Sequence, residues 1–324
     1  MKLLGFVNLG NTCYLNSVLQ CFIYSTKFRQ CINEFNYSDD SLLKEISLVI
    51  NNSDLVTEIQ EYSSYSLRNF IKSFVKEKNW FNPHEQNDSH EFLMYFMDLI
   101  LEKTKIKNPY QVNIEKTVNS VYKLDDGAGD KQWTQFLIKN NSKISRVYYG
   151  QIKTSVQCKL CDKISTSYNE FNTINLNVPT DQKEYSIDEL FHNYLKNEEI
   201  HYSCDYCKKS SMNIKKYSLF RLPSILIIVL NRYSSNGIKN NTIVNYPVHH
   251  LIIKEKKSKK KLSYNLNNII NHYGIHIGGH YNCISNINDT WFFIDDSHIS
   301  VINDFKNLES LRNGNSYILF YKQI

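Results

Sequence analysis

Two pairs of cysteines with C-x-x-C spacing restrict what this chain can fold into more than any other feature. The pairs are Cys158 with Cys161 and Cys204 with Cys207. Each spacing suits two ligands on one tight turn, and four thiolates form the closed tetrahedral site typical of structural Zn²⁺. Segments predicted as strands flank each pair, so a metal would join the tips of two hairpins. A redox role is the weaker interpretation because no thioredoxin-like βαβ pattern surrounds either pair. We expect one structural zinc ion per chain.

The composition is typical of a globular protein from a reducing compartment. Hydrophobic residues make up 42% of the 324 residues and charged residues 22%, which argues against a disordered chain. Eight cysteines are too few for a disulfide scaffold of this length. No apolar run reaches the ~18 residues of a membrane span, and the stretch from Leu3 to Val7 is too short for a signal peptide. We expect an intracellular monomer, cytoplasmic or nuclear, without a membrane partner.

The positive charge of the chain is modest apart from one cluster. A net charge of +6 without clustering along a face is no nucleic-acid signature, so we expect no nucleic-acid partner. The cluster runs from Lys254 to Lys261, broken only by Glu255 and Ser258. A solvated loop between two strands is its simplest interpretation, and a nuclear-localisation signal or an anion-binding patch is the alternative.

The first third of the chain has helical periodicity. Residues 13–24 place apolar side chains at i, i+3, i+4 and i+7, which predicts a helix with one apolar face. A second helix is predicted from Asp88 to Lys103, where Asp88 and Glu91 have the spacing of a capping box. Residues 39–80 are predicted to be mostly helical.

Short strands dominate after about residue 147, and a helix near residues 187–195 interrupts them. Gly127 and Gly129 lie in an acidic stretch that predicts a surface loop. The predicted strands are residues 154–156, 173–178, 226–230, 242–246, 281–285, 291–294 and 317–321. Helices followed by an antiparallel sheet system indicate an α+β fold.

Cys13 is the candidate nucleophile because it begins a predicted helix that Asn11 or Thr12 can cap. Helix dipoles and free backbone N–H groups stabilise anions at this position, so we expect a lowered thiol pKa. Asn8 and Asn11 lie just upstream, and either side-chain amide could donate to an oxyanion. The alternative for a lone cysteine is a small buried residue, which is our interpretation of the three remaining cysteines, Cys21, Cys31 and Cys283.

His280 is the candidate base. It follows Gly278 and Gly279 and begins a predicted strand. If this strand forms a hairpin with the next one, which ends at Asp295, the two residues lie close together. Opposed residues of an antiparallel pair share a face, so the carboxylate of Asp295 could orient the imidazole. Asp296 should point to the opposite side of its strand. The alternative is a surface histidine beside an acidic strand end.

Six blocks of the sequence resemble the ubiquitin-specific proteases, which are papain-like cysteine deubiquitinases. The resemblance covers about residues 4–322, with the blocks in order and at plausible spacing. The blocks are GFVNLGNTCYLNSVLQCF at 5–22, QNDSHEFL at 86–93, LPSILIIVLNRY at 222–233, NHYGIHIGGHYNCI at 271–284, WFFIDDSHI at 291–299 and YILFYK at 317–322.

This resemblance implies roles for five residues of the reaction centre. Cys13 matches the nucleophile, His280 the base, and Asp295 the third member of the triad. Asp296 matches a second, supporting acid, and Asn8 matches the amide of the oxyanion hole.

The resemblance also implies a substrate path and a fold. Asp88 matches an acid that contacts the arginine-rich tail of ubiquitin, while Gly278, Gly279 and Tyr281 lie where the narrow Gly-Gly end would pass. The implied fold is papain-like α+β in a single catalytic domain over residues 1–324. Its parts would be a helical thumb (about 1–110), zinc-bearing β fingers (about 145–220) and a β palm (about 221–324).

Four functions compete at this point. The leading one is a deubiquitinase that acts on ubiquitin and ubiquitinated proteins through a thioester at Cys13. A non-catalytic ubiquitin-binding protein is disfavoured because Cys13, His280 and Asp295 are all present. A protease for another ubiquitin-like modifier is the third, and Asp88 favours ubiquitin over it. A zinc-dependent nucleic-acid binder is the most distant.

Overall fold

The computed structural model describes residues 2–33, 40–53, 61–78, 81–106, 127–233, 237–275, 278–303 and 312–324. Helices and strands both occur throughout these ranges, which confirms the α+β class. The helices are α1 (Cys13–Ile23), α2 (Thr26–Asn33), α3 (Ser41–Asn52), α4 (Arg68–Glu77), α5 (Ser89–Lys103), α6 (Gly127–Lys139), α7 (Lys143–Tyr148) and α8 (Ile187–Tyr194).

The strands follow the periodic segments of the sequence. They are β1 (Lys2–Phe6), β2 (Glu61–Tyr65), β3 (Gly150–Gln157), β4 (Ile164–Phe171), β5 (Thr173–Asn177), β6 (Glu184–Ser186), β7 (Glu198–Ser203), β8 (Ser210–Arg221), β9 (Ile225–Asn231), β10 (Ile243–Asn245), β11 (Leu251–Lys254), β12 (Lys261–Ile275), β13 (Gly278–Ile287), β14 (Thr290–Asp295), β15 (His298–Val301) and β16 (Ser316–Gln323).

Two sheets organise the molecule. The larger has eight strands in the order β15-β14-β13-β12-β16-β9-β5, with β11 paired to β12. The smaller has four strands in the order β4-β3-β8-β7 and carries the cysteine pairs at its hairpin turns. β1 pairs in parallel with β2, and β6 with β10.

The helix α1 lies at the centre of the core. All of its residues are buried, more than the single apolar face predicted from the sequence, and it packs against β13 and α5. Phe22 forms ring contacts with Phe96 and Phe320 at centroid distances of 5.2 and 5.8 Å. Such aromatic pairs each contribute ~0.5–1.5 kcal/mol beyond their buried area. The helix that begins at Cys13 is therefore held firmly.

One local prediction is wrong and another is incomplete. Gly127 and Gly129 begin α6 instead of a surface loop, and Gly129 is buried, since a Cβ there would lie 2.7 Å from the rings of Phe220 and Tyr168. The prediction that residues 39–80 are mostly helical is confirmed for the described part of that range by α3 and α4, but it did not include β2, whose partner β1 is distant in sequence. Among the described residues, no helix is long and apolar enough to cross a membrane.

Candidate active site

Cys13 is the first residue of α1 and follows a tight loop. Gly10 and Asn11 have φ values of 93° and 56° in that loop. Thr12 is the N-cap residue, but its side chain makes no capping bond and instead accepts from the backbone N–H of Leu9 at 2.9 Å. Thr12 thus occupies the N-cap position predicted for Asn11 or Thr12, but it supplies no side-chain capping bond. The first amide groups of α1 are left without a side-chain cap beside the thiol.

Burial dominates the acidity of the Cys13 thiol. The residue is 2% exposed, and desolvation raises the pKa of its thiol above the ordinary value. The carboxylate of Asp296 raises this pKa further, while backbone N–H groups of Tyr281, Tyr14 and Cys13 lower it. The lowered pKa expected from the helix position is therefore wrong for the free protein, because the helix terminus does not outweigh desolvation. A thiolate at Cys13 needs a base to take its proton.

His280 and Asp295 lie on neighbouring strands and are hydrogen-bonded. The ladder between β13 and β14 pairs Cys283 with Ile294, so Asp295 reaches His280 diagonally across the end of the hairpin. His280 Nε2 lies 2.5 Å from Asp295 Oδ1. The hydrogen bond to Asp295 occupies Nε2 and leaves Nδ1 as the nitrogen able to accept a proton. The backbone N–H of Tyr281 lowers the pKa of the Cys13 thiol, so this thiol lies close to the residue that follows His280.

Asp296 lies on the same side as the histidine, contrary to the sequence prediction. β14 ends at Asp295, and Asp296 adopts a left-handed conformation with φ 51°, which breaks the alternation of side chains. Ligand atoms of His280, Asp295 and Asp296 lie within 4.8 Å of one another. The carboxylate of Asp296 accepts hydrogen bonds from the amides of Asn8 at 2.8 Å and Asn16 at 2.7 Å.

The amide of Asn8 is held at both ends. Its Oδ1 accepts from the backbone N–H groups of Gly10 and Thr12 at 3.0 and 3.2 Å, while Nδ2 donates to Asp296. These bonds fix the orientation of the amide, and Nδ2 keeps a second N–H for another acceptor. Asn8 is exposed and lies five residues before Cys13.

Asn16 and Gly5 belong to this arrangement and were not predicted from the sequence. Asn16 is buried in α1, one turn after Cys13, and a polar side chain in so apolar a helix is the signal that could have indicated it. A Cβ on Gly5 would lie 2.4 Å from the carbonyl oxygen of Ser297, so glycine lets β1 approach the turn that carries Asp296. The Phe6 N–H donates to the Asp296 carbonyl at 2.8 Å and closes this contact.

A cleft of about 610 Å³ lies beside the reaction centre. Its lining includes Asp88, Gly278, Gly279 and Tyr281, as the resemblance implied. The two glycines differ in their surroundings. A Cβ on Gly278 would meet nothing within 4 Å, whereas one on Gly279 would lie 2.4 Å from His272 Nε2. Gly278 therefore borders open space in the cleft, and Gly279 is required by packing behind the cleft wall.

Asp88 caps α5 and binds two tyrosine hydroxyls. Its Oδ1 accepts from the N–H groups of His90 and Glu91 at 2.8 and 3.0 Å. The reciprocal half of the predicted capping box is absent, because Glu91 accepts from Tyr95 instead.

The two hydroxyls belong to Tyr281 and Tyr317. They donate to Asp88 Oδ2 at 3.2 and 2.9 Å. Desolvation first, and then the charge of Asp88, raise the pKa of both phenols. Tyr317 was not identified from the sequence, since only the fold brings β16 beside α5.

The four cysteines of the C-x-x-C pairs converge in space. Cys158 and Cys207 sulfurs lie 3.9 Å apart, those of Cys161 and Cys204 lie 3.7 Å apart, and all four lie within 4.8 Å. Tetrahedral Zn–S bonds of ~2.3 Å require sulfurs ~3.8 Å apart, so the thiols fit a metal.

The two turns that carry these cysteines have matching backbone geometry. Asp162 and Lys208, each just after a pair, have φ values of 55° and 59°. Backbone N–H groups, that of Cys207 foremost, lower the pKa of the Cys204 thiol to about 7. The turn around Cys204 therefore favours a thiolate there, whereas at Cys161 the backbone N–H of Lys163 is outweighed by desolvation and the neighbouring thiols, which raise the pKa of its thiol.

Comparison with known proteins gives one consistent family. The family model for ubiquitin carboxyl-terminal hydrolases matches residues 4–321. Ubiquitin carboxyl-terminal hydrolase 2 of Bos taurus is 28% identical over 344 residues, covering 99% of this chain and 55% of the relative. Ubiquitin carboxyl-terminal hydrolase 21 of Homo sapiens is 27% identical over 352 residues, covering 98% of this chain and 61% of the relative. This chain thus spans little more than half the length of these relatives.

A solved structure shares the fold. It is the SAGA DUB module of Ubp8, Sgf11, Sus1 and Sgf73 bound to monoubiquitin. The match has a TM-score of 0.72 at 21% identity and covers 99% of this chain and 69% of that chain.

Proposed function

Because the chain belongs to the ubiquitin carboxyl-terminal hydrolase family, we propose that it is a cysteine-type deubiquitinase that cleaves the peptide or isopeptide bond after the last glycine of ubiquitin. The observation that carries this proposal is the 2.5 Å pair of His280 and Asp295. His280 directly precedes Tyr281, whose backbone N–H acts on the buried thiol of Cys13. Nucleophile, base and orienting acid are the parts of a thiol hydrolase triad.

The reaction begins with a proton transfer. His280 takes the thiol proton of Cys13 on Nδ1, and Asp295 stabilises the imidazolium through Nε2–H. This base is needed because burial raises the pKa of the thiol. The thiolate then attacks the carbonyl carbon of the terminal glycine.

The developing oxyanion needs donors that are already in place. The free N–H of Asn8 Nδ2 is one, and its orientation is held by Asp296 at 2.8 Å. One such donor contributes ~2.7–4 kcal/mol in well-studied hydrolases. In this proposal Asp296 is a positioning residue that acts through Asn8.

Collapse of the tetrahedral intermediate completes the first half of the reaction. His280 gives its proton to the departing amine, and the glycyl group stays on Cys13 as a thioester. In the second half, His280 takes a proton from water, which attacks the thioester. His280 returns its proton to the Cys13 sulfur as the thiolate departs, and the new carboxylic acid of ubiquitin loses the second water proton to solvent and leaves as a carboxylate.

The cleft supports selection of a glycine-ended tail. The open surroundings of Gly278 leave room for a substrate backbone, and the absence of side chains at a Gly-Gly end suits a narrow passage. Asp88 already accepts from two tyrosines and two backbone amides. We therefore assign to the Asp88, Tyr281 and Tyr317 cluster a shared negative surface that receives the arginine-rich tail.

The cysteine cluster completes the proposal as a structural zinc site. Sulfur separations of 3.7 and 3.9 Å match a four-thiolate Zn²⁺ centre at the tips of the β3–β4 and β7–β8 hairpins. The ion would supply folding energy to these fingers and take no part in the reaction. The thumb, fingers and palm boundaries, and the intracellular location, remain predictions.

Hydrolysis of a fluorogenic C-terminal ubiquitin derivative tests the proposed function. Wild type should turn over, while Cys13→Ala and His280→Ala should not. Equivalent derivatives of other ubiquitin-like modifiers run in parallel. If another modifier is hydrolysed faster, that modifier is the substrate in place of ubiquitin. If the folded, zinc-loaded protein hydrolyses none of the derivatives, the proposed hydrolase activity is rejected.

A further inference from the structure

The turn between β11 and β12 concentrates the charge of the chain. Residues 254–261, named here the basic hairpin, contain six lysines and one glutamate, which amount to +5 of the net charge of +6. The remainder of the chain is nearly neutral. The electrostatic attraction of this protein for anions therefore comes largely from one hairpin.

The basic hairpin is fixed to the body of the protein. The backbone N–H groups of Lys256 and Lys257 donate to the carbonyls of Leu219 and Phe220 at 2.8 and 3.1 Å. Glu255 accepts from the backbone N–H of Leu222 at 2.9 Å. These contacts anchor the hairpin to the end of β8, so it is an ordered surface.

Only part of its charge is used internally. Lys257 forms an ion pair with Asp130, which also pairs with Arg221. The other lysines are exposed, and among the residues that the structure describes none of them forms an ion pair; they are Lys254, Lys256, Lys259, Lys260 and Lys261.

The arrangement carries a local cost. Lys254 and Lys261 stand directly opposite each other across the ladder, and like charges in this position are destabilising. No described acid offsets that repulsion. An unfavourable like-charge pair that the fold does not compensate is expected at functional surfaces.

We propose that the basic hairpin docks the protein on anionic phospholipid surfaces, which extends beyond the deubiquitinase activity. Clusters of lysines attract anionic headgroups, each adding about fivefold to binding. Ile252 is 55% exposed and shares the outer face with Lys254, so an apolar side chain adjoins the charge. Residues 251–263 contain no aromatic side chain on which bases could stack, which disfavours single-stranded nucleic acid.

Docking at this surface leaves the cleft free. The basic hairpin begins β12, and Tyr273, the partner of His280, lies twelve residues beyond Lys261 on that strand. At ~3.3 Å per residue, the separation along the strand is ~40 Å. The docked protein would hold its reaction centre well away from the bilayer. This inference departs from the sequence expectation of no membrane partner.

Vesicle co-sedimentation of the full chain with zinc bound is the test. Phosphatidylcholine vesicles with and without phosphatidylserine are compared at low and high salt. The test variant combines Lys256→Gln, Lys259→Gln and Lys260→Gln. The matched control combines Lys44→Gln, Lys72→Gln and Lys76→Gln, which removes the same charge from exposed positions on α3 and α4.

Wild type and control should bind phosphatidylserine vesicles in a salt-sensitive way, and the hairpin variant should bind ~100-fold more weakly. The hairpin variant should keep its cleavage of a soluble substrate and melt no lower than wild type. Equal losses of vesicle binding in the hairpin variant and the control would mean that only the net charge of the protein matters, which would overturn the proposal. So would the absence of binding at low salt, or tighter salt-sensitive binding to duplex DNA or RNA than to vesicles.

Discussion

Replacement of Asp296 by alanine separates positioning from direct catalysis. The carboxylate of Asp296 accepts from Asn8 at 2.8 Å and from Asn16 at 2.7 Å. If Asp296 acts by orienting the oxyanion donor Asn8, then Asp296→Ala and Asn8→Ala remove the same contribution. The double variant should then be scarcely worse than either single variant.

The magnitudes follow from the role of each contact. Loss of one oxyanion donor costs ~10²–10³ in kcat, so Asn8→Ala and Asp296→Ala should each fall in this range. The kcat of the double variant should lie within about tenfold of the kcat of the less active single variant, because the effects of residues in contact are not additive. Asp295 acts on His280 and not on Asn8, so the loss of kcat in Asp295→Ala should multiply with the loss in Asn8→Ala. Loss of the orienting acid cost about 10⁴ in a related triad.

The assay is kcat and KM on a fluorogenic ubiquitin derivative, with thermal unfolding measured for every variant. Asp188→Ala removes an exposed acid on α8 and controls for charge. Independent, multiplying losses for Asn8→Ala and Asp296→Ala would refute the positioning role and would mean that Asp296 acts on the imidazole directly.

Three further results are expected. Metal analysis should find about one zinc per chain, and Cys158→Ser should lower Tm and zinc content together; fresh, never-chelated protein without zinc would contradict this. Gly129→Ala should lower the free energy of unfolding by ~1–3 kcal/mol, because the added Cβ would overlap aromatic rings. Gly127→Ala should not lower it, because a Cβ there meets no other atom within 4 Å; denaturant unfolding of both variants checks this. In His280→Ala, the rate of Cys13 alkylation should still increase with pH above ~8.5, because the raised pKa keeps the thiol protonated at neutral pH. An alkylation rate that is already constant with pH at neutral pH would contradict this.

Local patterns in the sequence anticipated five of the eight described helices and seven of the sixteen described strands, and they missed the two longest strands, β8 and β12. The apolar periodicity around Cys13 and the alternating runs after residue 147 correspond to α1 and to strands of the two sheets. The C-x-x-C spacing anticipated a cluster of four sulfurs, because ligand spacing on a tight turn is a short-range property.

Features set by distant contacts were beyond such patterns. Gly129 is buried in the first turn of α6 against the rings of Tyr168 and Phe220, which leave no room for a Cβ and are distant from it in sequence. The orientation of Asp296 depends on where β14 ends, and alternation along a strand says nothing about the turn that follows. The raised pKa of Cys13 reflects burial by the whole fold, which a helix-terminus argument does not include.

Reaction with a ubiquitin probe that carries a C-terminal electrophile tests the central claim most directly. Peptide mapping of the adduct should locate the modification on Cys13 alone, and Cys13→Ala should abolish labelling while it still binds ubiquitin. Labelling of Cys21, Cys31 or Cys283, or no labelling of folded protein, would contradict the assignment of Cys13 as the nucleophile of a deubiquitinase.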